Sequence, residues 1–97
     1  MTERLRLTEE ADRDLIDIYL YSLKEFGVQQ ADRYSDTLMQ KLETVAENPS
    51  FGSDYSYIRA GLRRYTSVSH AIYYQSLDSG ILVLRILHGS MDPARHL

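Results

Sequence analysis

Residues 62–89, LRRYTSVSHAIYYQSLDSGILVLRILHG, decide the fold class. Asp78-Ser79-Gly80 is a hairpin turn signal, with Gly80 free to take positive φ. The runs on either side read as strands. His70 to Leu77 contains Ala71-Ile72-Tyr73-Tyr74, and Ile81 to His88 is apolar on both faces except for Arg85 and His88. A strand of the latter kind belongs inside a sheet rather than at its edge. Leu62 to Ser67, entered after Gly61, is a third strand, and Gly89 breaks the last one.

Upstream the period changes from strand to helix. Asn48 to Tyr57 is a loop of turn formers carrying three aromatics. Before it, Ala31, Tyr34, Leu38, Leu42 and Val45 share a face of a helix that starts near Val28 and stops at Asn48-Pro49. An earlier helix spans about 8–26. Thr8 is its N-cap, Glu9 and Glu10 sit where carboxylates suit the helix dipole, and Gly27 follows its end. Ala11, Leu15, Ile18, Tyr19, Ser22 and Phe26 form its core-facing stripe, while Asp12, Asp14 and Asp17 point outward. Ile16, Leu20 and Leu23 fall off that stripe. They either broaden the core-facing surface or form a groove for the apolar face of a partner helix. Arg4-Leu5-Arg6-Leu7 alternates as a short strand, and Asp92-Pro93 opens a final turn, Pro93 to His96. The order β-α-α-β-β-β predicts a two-layer α+β fold, a helical hairpin packed on an antiparallel sheet of about four strands.

Ninety-seven residues at 43% hydrophobic and 26% charged fit one globular domain, 1–97. No apolar run approaches the roughly 20 residues of a membrane helix. Met1 to Arg4 leads straight into the alternating segment, so no signal peptide is expected. With no cysteine, a disulfide scaffold, a thiol nucleophile and Cys-based zinc sites are excluded, and a cytoplasmic protein is expected. Net charge is −3, against a general nucleic-acid binder. The charge is asymmetric: residues 1–57 carry six Lys or Arg against twelve Asp or Glu, and residues 58–97 carry five Arg against two Asp. Every cation of the second half is Arg, suited to bidentate recognition of carboxylate or phosphate.

Three pieces of the chain resemble one family. The first is Ala11-x-x-Asp14-Leu15-x-x-Ile18-x-x-Tyr21 closed by Phe26-Gly27. The second is Asn48-Pro49-x-x-Gly52 followed by Ile58-Arg59-x-Gly61-Leu62-Arg63-Arg64. The third, and most specific, is His70-x-Ile72-Tyr73-Tyr74 with the C-terminal run Arg85-Ile86-Leu87-His88-Gly89-x-Met91-Asp92-Pro93-x-Arg95-x-Leu97. Together they resemble the ParE toxins of bacterial toxin–antitoxin operons, within the RelE/ParE superfamily. The resemblance implies a RelE/ParE-like fold and a type II toxin held inactive by a ParD-type antitoxin, in a heterotetramer or larger complex. It implies DNA gyrase as the target, trapped on cleaved DNA. Since His70, His88 and His96 have no metal-ligand spacing, no metal is expected, nor a cofactor, a membrane partner or a sequence-specific contact with nucleic acid. The sister branch, RelE-like toxins, is instead a group of ribosome-dependent mRNA endoribonucleases.

The residues separate the two branches. RNA cleavage needs a base, an acid and cations on the phosphate. Arg64 and Arg85 are candidate cations, and His70, His88 and His96 candidate acids or bases. The strand where ribonuclease members often carry a basic residue reads Ala71-Ile72-Tyr73, and the tail, Ala94-Arg95-His96-Leu97, lacks the tyrosine of RelE-like members. The expectation is a toxin that acts by binding, with no catalytic residues. Its candidate contacts to target or antitoxin are Arg63, Arg64, Arg85, His88, Met91, Asp92 and Arg95, with Ile16, Leu20 and Leu23. Alternation places Arg85 with Ile81, Val83 and Leu87. If Leu82, Leu84 and Ile86 face the helices, Arg85 lies on the open sheet face, serving function or else bonding terminal carbonyls or an aspartate such as Asp92. His88 reads as a base or as a histidine tied to a neighbouring loop. Arg63-Arg64 reads as an edge-strand charge pair or as a grip on an anionic partner. Of Tyr73 and Tyr74, on opposite faces, one is expected to be accessible as an interface anchor.

Overall fold

The computed structural model describes residues 4–97. Strand β1 (Leu5–Leu7) leads into helix α1 (Glu9–Phe26), and helix α2 (Val28–Glu47) follows. A 3-10 turn at Pro49–Phe51 precedes β2 (Ser53–Asp54), β3 (Leu62–Thr66), β4 (His70–Leu77) and β5 (Gly80–His88), and a last turn of helix, α3, covers Pro93–His96. Thr8 caps α1, its hydroxyl oxygen accepting from Ala11 N–H at 3.1 Å. Gly27, at φ +88°, ends α1 and starts α2, so one residue folds the two helices into the predicted hairpin.

The helical hairpin lies on one face of the sheet, as expected of an α+β two-layer fold, but the sheet differs in two ways. Among the described residues it has five strands in the order β1-β5-β4-β3-β2, and β1 runs parallel to β5. The fifth strand is β2, two residues inside the predicted loop, paired with Arg63 and Arg64. A two-residue strand has too little alternation to read from sequence. The parallel pairing of β1 is likewise invisible locally, because Leu5 and Leu7 bury the same face whichever way the strand runs. β5 lies between β1 and β4, the interior place its apolar faces predicted.

Two apolar clusters flank the sheet. Ala11, Leu38, Leu42, Val45 and Ala46 of the helices pack on Ile72, Tyr74, Ile81, Val83 and Ile86. On the outer face, Leu62, Ala71, Tyr73, Leu84 and Leu87 are covered by Tyr55, Ile58 and Leu97. The predicted alternation of β5 breaks midway. Tyr74 pairs with Val83 and Tyr73 with Arg85, so Leu84 is an extra residue in β5. Ile81 and Val83 therefore face the helices while Leu82 and Leu84 face away, and past the bulge Ile86 returns to the helical side. The expectation that Leu82, Leu84 and Ile86 share a face does not hold, because a bulge shifts the phase by one residue.

Tyr73 and Tyr74 do occupy opposite faces, but both are buried, so neither is an accessible anchor. Tyr74 Oη donates to Pro49 O (2.7 Å) and accepts from Gly52 N–H (2.8 Å), tying down the loop after α2. A Cβ at Gly52 would overlap that ring, which explains the glycine. Phe26, placed on the core stripe by its spacing, is exposed; it is the last residue of α1 and borders a cleft with Tyr21, Gln30, Tyr34 and Val68.

Candidate functional site

The first candidate surface grows from the point where β1 stops. Beyond Leu7 the edge of β5 has no strand partner among the described residues, and the start of α1 supplies the bonds instead. Thr8 N–H donates to Val83 O (3.0 Å) and the Thr8 hydroxyl to Leu84 O (2.8 Å). Asp14 then takes three bonds: from Ile86 N–H at 2.9 Å, from Arg85 Nε at 2.8 Å and from Arg85 Nη2 at 2.9 Å. The Asp14 side chain is only 13% exposed, so it is not one of the outward charges its helical position suggested. Its hydrogen bonds and charge hold the Arg85 guanidinium still further above its ordinary high pKa, against the opposing effect of burial.

Arg85 is thus not on an open sheet face. It stands in register with Tyr73, and its guanidinium is paired fork to fork with Asp14 while Nη1 donates to His96 O at 3.3 Å. The reading of an Arg on an aspartate and a terminal carbonyl is met, with Asp14 in place of Asp92. Asp92 instead caps α3, accepting from Ala94 N–H at 3.0 Å. Arg95 is exposed on α3, and Met91 lines a cleft of about 370 Å³ with Asp14, Asp17, Ile18, Tyr21, His70 and His88.

His70 and His88 pair across β4 and β5, their rings edge to face at 5.5 Å. His88 Nδ1 accepts from Ser90 N–H (3.1 Å), the loop bond expected of a structural histidine. Tyr34 Oη lies 2.6 Å from His70 Nδ1. Burial, then the neighbouring His88, lowers the His70 pKa, with Asp14 acting weakly the other way. A second cleft, of about 310 Å³, shares Tyr21, His70 and His88 with the first, so the two form one groove beside α1.

Around the helix from this groove, Ile16 and Leu20 are 58% and 54% exposed, and Leu23 is half-buried. Spaced four and three apart, they form an apolar strip on the solvent side of α1. The broadened core-facing surface is therefore not what they make; an unpartnered helix face is. Tyr21, Phe26 and Val28 extend the exposed apolar area.

Arg63 and Arg64 are not at a sheet edge, because β2 covers that side of β3. Arg63 Nη1 donates to Gly52 O at 2.7 Å, and Arg64 Nε to Tyr73 Oη at 3.1 Å on the outer face. Sequence reasoning placed the candidate cations but missed what holds them. Asp14 stood in the first motif, yet no local signal says that a helix aspartate will seal a strand 72 residues away.

Similarity to known proteins agrees with this architecture. A family model described as the ParE toxin of type II toxin–antitoxin system, parDE, matches residues 5–93. Toxin ParE1 of Caulobacter vibrioides is 39% identical over 92 residues, 95% of each chain. Toxin ParE1 of Mycobacterium tuberculosis is 33% identical over 98 residues, covering all of both chains. A solved structure titled "Chromosomal ParDE TA system from P. aeruginosa" matches with a TM-score of 0.72 at 18% identity, over 89% of this chain and 98% of that one.

Proposed function

This chain belongs to the ParE toxins of type II toxin–antitoxin systems, and on that footing we propose that a ParD-type antitoxin holds it inactive and that, once freed, it inhibits DNA gyrase by binding rather than by catalysis. The observation that carries the reading is the family match along residues 5–93, which takes in the C-terminal run from Arg85 to Pro93. The antitoxin's place is the exposed strip Ile16–Leu20–Leu23, where an amphipathic helix buries its apolar face. The cytoplasm, where gyrase works, is the site of action.

The geometry supports binding over RNA cleavage. Arg85, one of the two candidate phosphate cations, is matched by Asp14. The other, Arg64, lies with Tyr73 on the outer face, while His70 contacts Tyr34 of α2 on the helical face. The sheet separates His70 from Arg64, and the cation that shares a cleft with His70 and His88, Arg85, is already held by the Asp14 carboxylate.

The deciding experiment is supercoiling by purified gyrase with and without the protein, beside a translation-coupled RNA cleavage assay. Loss of supercoiling with accumulation of cut DNA is expected, and cells should show DNA damage and filamentation. RNA cut at ribosomal positions with gyrase untouched would overturn the proposal.

A further inference from the structure

On the outer face of the sheet, Tyr57 is 75% exposed. Its ring lies 5.3 Å from that of Tyr55, tilted by 35°, and Tyr55 meets Tyr73 edge-on at 6.0 Å. The Arg64 guanidinium lies over both Tyr55 and Tyr73, at 5.5 and 5.9 Å, and its Nε is fixed on Tyr73 Oη. Among the described residues the ion pairs are those of Arg4 and Arg85; Arg64 and the exposed Arg59 have no carboxylate partner. Arg59 borders a neighbouring cleft of about 290 Å³ with Arg85, His96 and the acid Glu10. None of this is used by the antitoxin strip, which is on the outer side of α1.

The surface therefore offers an exposed aromatic ring, packed at a tilt on Tyr55, beside cations with no carboxylate partner among the described residues. A peptide of carboxylates alone would satisfy Arg59 and Arg64 but leave the Tyr57 ring in water. An apolar partner would cover the ring but strand the cations. A nucleotide strand meets both demands, a base on the ring and phosphates on the guanidinium groups. The overall charge of −3 does not oppose this. The helical layer, residues 9–47, carries ten acids against four bases, whereas residues 58–97 are net positive. The molecule is 21 Å across its shortest axis, and charges further apart than about 8 Å through physiological salt are largely screened.

We propose that this face binds a single-stranded polynucleotide without regard to sequence, Tyr57 stacking on a base and Arg59 and Arg64 holding the flanking phosphates. It goes beyond the gyrase reading, since the toxin then touches the nucleic acid itself. The test is fluorescence anisotropy of the full chain, without gyrase, against labelled oligo-dT, oligo-U and a polyglutamate peptide at two salt concentrations. We expect oligonucleotide binding with Kd on the order of 10⁻⁴ to 10⁻⁶ M, weakening with salt. Tyr57→Ala should weaken it about tenfold and Tyr57→Phe should not. Arg64→Gln should lower both the affinity and the salt slope, the latter by about one. Antitoxin binding and thermal melting of the Tyr57 variants should match the parent, because that side chain is exposed. Binding to dT, to U or to both supports the proposal and says which strand is preferred. No binding at low salt, equal binding of polyglutamate, or indifference to Tyr57→Ala would overturn it. Because gyrase is absent, these failures leave the gyrase reading untouched.

Discussion

Asp14 and Arg85 show how one pair joins three parts of the chain. The carboxylate closes the free edge of β5, and the guanidinium passes the tie on to His96 O in the C-terminal turn. Arg85→Ala would leave Asp14, 13% exposed, with the Ile86 amide and no counter-charge. The cost should be about 1–3 kcal/mol, below that of a fully buried pair because both side chains keep some solvent. A fall in Tm of roughly 4–8 °C per kcal/mol should show it, with growth arrest weakened more than by Arg13→Ala on the exposed face of α1. Ser67 makes the opposite case. Its hydroxyl oxygen is buried without a partner among the described residues, so its desolvation is uncompensated. Ser67→Ala should leave stability unchanged or raise it by up to about 1 kcal/mol in urea unfolding. A loss of more than that would mean the hydroxyl has a partner in solution.

Two elements carry the proposed function. On α1, Ile16 and Leu20 face solvent and contribute little to the core, so Ile16→Ser with Leu20→Ser should shift unfolding by less than about 0.5 kcal/mol per site. The same change should weaken capture of the antitoxin at least tenfold by calorimetry, as expected for central apolar anchors, each costing more than about 1 kcal/mol. The C-terminal turn is the other. Asp92 caps it, Pro93 starts it, and Leu97 packs on the outer cluster, so the segment reaches a target already ordered. Removing Met91 to Leu97 should abolish growth arrest while the helical hairpin still binds antitoxin in a pull-down. Growth arrest surviving that truncation would put the toxic surface elsewhere.

At the scale of the whole molecule, stability depends on pH through His70. Burial and His88 disfavour its charged form, Asp14 only partly opposes them, and Tyr34 touches its Nδ1. The unfolded chain takes up a proton near pH 6.5, and the folded chain resists it to lower pH. The folded pKa is depressed, so the contribution is complete above about pH 6.5 and is lost as pH falls through the folded value. Urea midpoints should therefore drop between pH 7 and 5, and His70→Gln should flatten that drop; an unchanged slope would mean another group titrates there.

How much the residues foretold follows from the range over which each signal acts. Helix caps, the Gly27 link, the Asp78-Ser79-Gly80 turn and the 3.6- and 2-residue periods are local. By themselves they determined both helices, the three long strands, the two-layer α+β class and the Asp92 cap. Family motifs strung along the chain were equally legible. Only the tertiary structure decided the parallel β1, the two-residue β2, the bulge at Leu84 and the burial of Tyr73 and Tyr74. It also decided that Arg85 meets Asp14, 71 residues away, and that Ile16 and Leu20 stay outside. Those depend on which strand edge a distant segment fills and which helix flank the sheet leaves free, and a repeat of two to four residues carries no information about either.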